Sequence, residues 1–140
     1  MTATPRLYLD TSAYLAVLLG ERGASAVLKA LGSGIPCSST LILLETERNL
    51  VRLVREKSLS QRGFDIAFER LRTDRELFFL RDLSPDLCLS GRFPPTRTPR
   101  SADLVHLRTA TWFQDNGGIK RFLSLDKEQL KAADELGLPV

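Results

Sequence analysis

The chain has 140 residues, of which 43% are hydrophobic and 26% charged. That balance excludes a disordered chain, and the length favours one domain over two. Lys and Arg number 20 against 17 acids, and the resulting +3 permits nucleic-acid binding without establishing it. No charged-then-apolar leader opens the sequence and no apolar run approaches the roughly 20 residues that span a bilayer, so a soluble, cytoplasmic protein with no membrane partner is expected.

Leu7–Leu9 reads as a first strand, and the stretch "LYLDTSAYLAVLL" turns from strand to helix at Asp10, Thr11 and Ser12. A charge at such a junction needs a partner or a task. Helical patterns follow at 12–22 and 24–32, then a strand at Ile35–Cys37 and helices at 40–57 and 60–73. A strand at Leu77–Leu80 leads to a helix at 84–91. The segment "GRFPPTRTPRS", Gly91 to Ser101, holds three prolines and three arginines; proline fixes its own φ and lacks a backbone donor, so an extended loop is predicted. A helix at 101–115, a strand at Phe122–Leu125 and a helix at 127–136 complete the pattern, with a further strand open at Leu138–Val140.

Strands alternating with helices imply crossover units, hence an α/β fold with a mainly parallel central sheet of four to five strands flanked by helices. Gly32, Gly34, Gly63, Gly117, Gly118 and Gly137 fall at or near the expected breaks. Cys37 lies in a strand and Cys88 in a helix, and no C-x-x-C pair exists; reduced thiols are expected rather than a metal site.

The acids fall in a pattern. Asp10 ends the first strand, and Asp126 ends "RFLSLD" and opens the last helix. Asp103 lies in the first turn of its helix, behind a Ser101 suited to capping, and Glu45 follows the Ser38–Ser39–Thr40 cluster. In a parallel sheet the C-terminal ends of strands and the N-termini of the following helices share one edge, where such folds bind ligands. Helix N-termini soften carboxylate repulsion but do not neutralise four charges. A hard divalent cation with oxygen ligands does, and Mg2+ or Mn2+ is the expected cofactor. Taken singly, an acid at a helix start is more often a cap than a ligand; the joint placement weighs against that.

These residues resemble a family. "YLDTSAYL" is similar to the opening of PIN-domain ribonucleases, in particular the VapC toxins of bacterial toxin–antitoxin pairs. Asp10 matches the first family acid and Thr11–Ser12 the hydroxyls after it. "SSTLILLETERNL" resembles the second block through Ser39, Glu45 and Arg48. "SADLVHLRTA" resembles the third through Asp103 and His106, and "FLSLDKEQLKAADELGLPV" the last through Asp126. The blocks stand in order over nearly the whole chain.

The resemblance implies a single PIN-like nuclease domain over 1–140 and metal-dependent hydrolysis of RNA phosphodiesters. Asp10, Glu45, Asp103 and Asp126 are then both the catalytic and the metal-binding residues. It also implies a cognate VapB-like antitoxin, whose groove the helical runs Ala13–Leu19 and Ala24–Leu31 would wall, and a homodimer. The proline-rich approach to Asp103 departs from the family and leaves substrate choice open. A second conflict lies on the Glu45 helix: the stripe of Leu43, Leu44, Leu50, Val51 and Val54 centres near Glu47. Periodicity alone favours Glu47 as the inward acid; the family spacing favours Glu45.

Other residues divide between plain and functional readings. His106 suits a packed or supporting role more than direct catalysis. Thr11 and Ser12 either cap the first helix or hold water at a metal. Arg97 and Arg100 are either solvated loop charges or phosphate contacts, and Trp112 and Phe113 suit core or interface rather than base stacking. Two rival functions remain: a catalytically silent RNA- or protein-binding module of the same fold, and a phosphatase with Asp10 as nucleophile. The second wants another acid two residues on, where this chain has Ser12.

Overall fold

The computed structural model describes residues 3–97 and 100–140. Four strands form one parallel sheet, β1 (Arg6–Leu9), β2 (Ile35–Ser39), β3 (Phe79–Arg81) and β4 (Arg121–Leu123), in the order β3-β2-β1-β4. Seven α-helices connect them among the described residues: α1 (Thr11–Leu19), α2 (Ala24–Leu31), α3 (Leu41–Arg55), α4 (Gln61–Asp74), α5 (Pro85–Cys88), α6 (Ser101–Asp115) and α7 (Lys127–Glu135). The α/β, parallel-sheet expectation holds, with four strands. Leu138–Val140 is not a strand. The Pro139 carbonyl does accept from Phe122 N at 2.7 Å, but proline has no N–H to extend a ladder.

The pleat divides the core. On β1, Leu7 and Leu9 point into a cluster with Ala13, Tyr14, Leu18, Val27, Ile42, Leu50, Ala67 and Leu71 from α1–α4. Tyr8 points the other way, to Leu107, Ala110, Phe113, Phe122, Ala132 and Ala133, which bring α6 and α7 onto the opposite face. This is period-two alternation in a strand buried on both sides, which is why its sequence looks uniformly apolar. Phe113 is thus core, as expected, while Trp112 packs at its edge with Arg81 stacked 4.9 Å from the ring centroid.

The buried face of α3 differs from the predicted stripe. Ile42, Thr46 and Leu50, spaced by four, point inward, while Leu44 and Val51 are 65% and 53% exposed. Threonine was invisible to a purely apolar wheel, and that moved the apparent centre toward Glu47. Gly63 also departs from expectation: it lies inside the first turn of α4, not at a break.

Gly34 precedes β2 where the chain is crowded. A Cβ there would meet Leu7 Cδ1 and the carbonyl oxygens of Leu31 and Pro5, both at 2.9 Å. Gly34→Ala is expected to destabilise by about 1–3 kcal/mol, as overpacking does, read as a lower urea midpoint at unchanged slope. In the expected 91–101 loop, residues 92–97 carry no regular structure, and Thr98 and Pro99 lie outside the described residues.

Candidate active site

The edge at the C-terminal ends of the strands carries the four predicted acids. Asp10 follows β1, its N–H continuing the ladder to the Leu123 carbonyl at 3.1 Å. It is 5% exposed, and its Oδ1 accepts from Ala13 N at 3.1 Å and Ser12 Oγ at 2.7 Å. Asp10 is therefore itself the N-cap of α1, so of the two readings of Thr11 and Ser12 the capping one does not apply. Those hydroxyls act as clasps. Ser12 Oγ holds Asp10 and accepts from Leu125 N at 2.9 Å, and Thr11 Oγ1 donates to Glu45 Oε1 at 2.7 Å.

Glu45 stands in the second turn of α3, where the Ser39 hydroxyl accepts from Leu41 N at 3.1 Å and steadies the helix start. Its Oε1 also meets His106 Nε2 at 2.7 Å. Glu47 points elsewhere, lining a groove with Leu43, Leu44, Phe68, Leu71, Arg72 and Arg75. The geometry therefore brings Glu45, not Glu47, to the edge that holds Asp10.

Asp103 sits in the first turn of α6, partly buried. Ser101 is the first residue of that helix rather than its cap; Arg100 occupies the cap position and makes no side-chain capping bond. Asp126 caps α7 through Oδ1, accepting from Glu128 N at 2.9 Å and Gln129 N at 3.4 Å. Gln129, 1% exposed, donates from Nε2 to the Asp103 carbonyl at 3.0 Å and so ties the two acidic segments together. Nothing in the sequence marks that role, because a glutamine three residues after a capping aspartate reads as an ordinary capping box.

The charges interact. Burial pushes the Asp103 carboxyl above the usual aspartate range, and the charges of Asp126, Asp10 and Glu45 push the same way against Arg100. Burial also raises Asp10, opposed by the Ser124 and Ser12 hydroxyls, the His106 ring and Ala13 N–H. For Glu45 burial again acts upward, but the His106 ring, the Thr11 hydroxyl and Arg48 outweigh it and hold the carboxyl below its usual value.

These directions set a pH dependence. An acid raised in the folded state destabilises the fold when ionised, so its contribution is present at low pH and lost as pH rises through the folded pKa. Metal-free protein should therefore gain stability from Asp10 and Asp103 as pH falls from neutral through their raised values. Urea midpoints in EDTA between pH 7 and pH 5 (roughly the window above the ordinary carboxylate range) test this, with Asp10→Asn expected to flatten the profile. Glu45 works oppositely: its contribution is present above the ordinary glutamate value and is lost as pH falls through its lowered one.

His106 is 3% exposed and contacts a polar neighbour on each side, Tyr8 Oη at 2.7 Å from Nδ1 and Glu45 Oε1 at 2.7 Å from Nε2. The packed setting expected for it is what the structure shows. Tyr8, concealed in the sequence as one more apolar strand residue, is the polar partner that was missed. Arg97 is a half-exposed loop charge that pairs with Glu128 at 3.1 Å and Glu135 at 3.0 Å on α7.

Among the described residues, no three His, Cys, Asp or Glu side chains stand close enough together to hold a metal ion. The acids share an edge without forming a closed donor shell. Their donor chemistry fits a hard divalent cation, since all four offer carboxylate oxygen. Burial raises the Asp103 carboxyl most, and the charges of Asp126, Asp10 and Glu45 add a repulsion that such an ion would relieve.

Comparisons with known proteins agree with this architecture. No curated protein matches the chain. Among solved structures, the chain is similar to the crystal structure of Mycobacterium tuberculosis VapC20, a Sarcin-Ricin loop cleaving toxin, at 16% identity and a TM-score of 0.57. The match covers 89% of this chain and 92% of that one. A likeness at this identity speaks for the fold. The PIN domain family model matches residues 7–136, nearly the full length. With a four-stranded parallel sheet and four acids on its C-terminal edge, the chain belongs to the PIN domain family.

Proposed function

We propose that the chain is a divalent-cation-dependent ribonuclease, one nuclease domain acting as the toxin of a toxin–antitoxin pair in the cytoplasm. One observation carries this reading: four carboxylates from the ends of β1 and β4 and the starts of α3 and α6 face one edge, and each acidic neighbour raises Asp103. The VapC20 likeness supports the toxin class; a cognate VapB-like antitoxin and a homodimer are the partners that the sequence resemblance implies. No described helix is long and apolar enough to cross a membrane.

Asp10, Glu45, Asp103 and Asp126 would hold Mg2+ or Mn2+. When bound, such a cation supplies shielding of the phosphate charge and acidification of water. The chain's own residues set the rest. Asp10 and Asp126 each commit Oδ1 to a helix N-terminus, which orients the carboxylate. Burial of Asp10 removes water that would compete at its oxygens. His106 has both ring nitrogens engaged, so it does not serve as a free general base.

The reading is tested by melting. A ligand that binds only the folded state adds RT ln(1 + [L]/Kd), about 2.7 kcal/mol at a hundredfold excess over Kd. Millimolar Mn2+ should raise the melting midpoint by several degrees over EDTA-treated protein, and Asp103→Asn should cancel the shift. An unchanged midpoint counts against the cation site.

A further inference from the structure

Tyr8, His106 and Thr11 form a chain of polar contacts that ends on one oxygen of Glu45. Tyr8 is fully buried, and burial pushes its phenol well above the usual tyrosine value, so the hydroxyl keeps its proton. Its Oη lies 2.7 Å from His106 Nδ1. The other ring nitrogen, Nε2, lies 2.7 Å from Glu45 Oε1 and 3.1 Å from Thr11 Oγ1. Thr11 Oγ1 in turn donates to the same Oε1 at 2.7 Å.

For a neutral ring, proton counting decides how this chain is wired. With the ring proton on Nε2, all three 2.7 Å contacts are satisfied: Tyr8 O–H donates to Nδ1, and Nε2–H and Thr11 O–H both donate to Oε1. With the proton on Nδ1 alone, two acceptors would face each other at 2.7 Å, a bare nitrogen and a carboxylate oxygen, with Thr11's one proton to serve both. In a buried setting that leaves an acceptor pair unmatched, which is costly.

We propose that His106 is a positioning residue, braced by Tyr8, whose Nε2–H and the Thr11 hydroxyl anchor Glu45 through Oε1 and leave Oε2 for a cation. The placement of the ring proton rests on the hydrogen-bond geometry alone. Its use rests on the cation reading above. Supporting groups of this kind fix the direction of a ligand oxygen, and their loss typically weakens metal affinity 10–100-fold.

The chain contains a single histidine, so imidazole 15N spectra are free of overlap. In metal-free wild-type protein the Nε2 resonance should be of the protonated type. A bare Nε2, with the proton on Nδ1, overturns the proposal. Tyr8→Phe, which removes one hydroxyl and keeps the ring, should shift the Nδ1 resonance in folded protein; an unmoved Nδ1 removes Tyr8 from the chain of contacts and overturns the bracing.

Mn2+ titration by calorimetry tests the use. Folded His106→Leu should bind about 10-fold more weakly than wild type, and His106→Gln, whose amide places a donor near the Nε2 position, should recover most of the loss. Equal affinity in all three proteins overturns the positioning role. A wild-type protein that binds no Mn2+ would sink the cation reading instead, and the 15N result would still decide the proton placement.

Discussion

Asp10→Asn and Asp103→Asn are each expected to lower divalent-dependent RNA cleavage by about 10²-fold or more, while the metal-free variants melt higher than wild type. The two effects share one cause. Asp10 is buried almost completely, and Asp103 stands among the charges of Asp126, Asp10 and Glu45. An asparagine keeps the shape and an acceptor oxygen, so the Ser12 and Ala13 donors around residue 10 stay paired. It removes the charge a cation needs and the repulsion the fold bears without one. A gain of a few degrees in EDTA is the scale that roughly 1 kcal/mol confers on a chain of this size. Variants with full cleavage would remove the acids from the chemistry. Variants with lost cleavage and a lower metal-free midpoint would show instead that the acids serve the fold.

The second large effect separates Glu45 from Glu47. Glu45→Gln should lose about 10²-fold in cleavage and lose the Mn2+-induced melting shift with it. The fold should survive, because the amide oxygen still accepts from Thr11 and His106 at the Oε1 position. Glu47→Gln should keep both properties and stay within about 0.5 kcal/mol of wild type, as partly exposed surface positions do. Helix neighbours differ by about 100°, so these positions point nearly opposite ways. Glu47 accordingly faces the groove with Arg72 and Arg75, not the edge. The reverse outcome would return the role to the residue that apolar periodicity picked.

That contrast shows what was legible in the sequence and what was not. The strands could be read because β1 is buried on both faces and so carries no polar alternation. β2 runs on past Cys37 through Ser38 and Ser39, both fully buried. Serine looks like a loop residue, and only the structure shows Ser38 Oγ donating to the Leu9 carbonyl at 2.7 Å. The acids at strand–helix junctions could be found because charge beside apolar runs is conspicuous. Their orientation could not, since it depends on contacts across the fold: Tyr8 to His106 spans 98 positions, and Gln129 to Asp103 spans 26. The α3 wheel failed for a related reason, as buried Thr46 counts as polar in a pattern and as core in the protein.

The central claim is that these four carboxylates make one cation-dependent nuclease site. Incubating the purified chain with RNA in Mg2+, in EDTA, and in EDTA followed by excess Mg2+ tests it most directly. The account predicts cleavage in the first and third conditions and none in the second, with Asp10→Asn silent in all three. Cleavage at full rate in EDTA, or by Asp10→Asn at the wild-type rate, would contradict it.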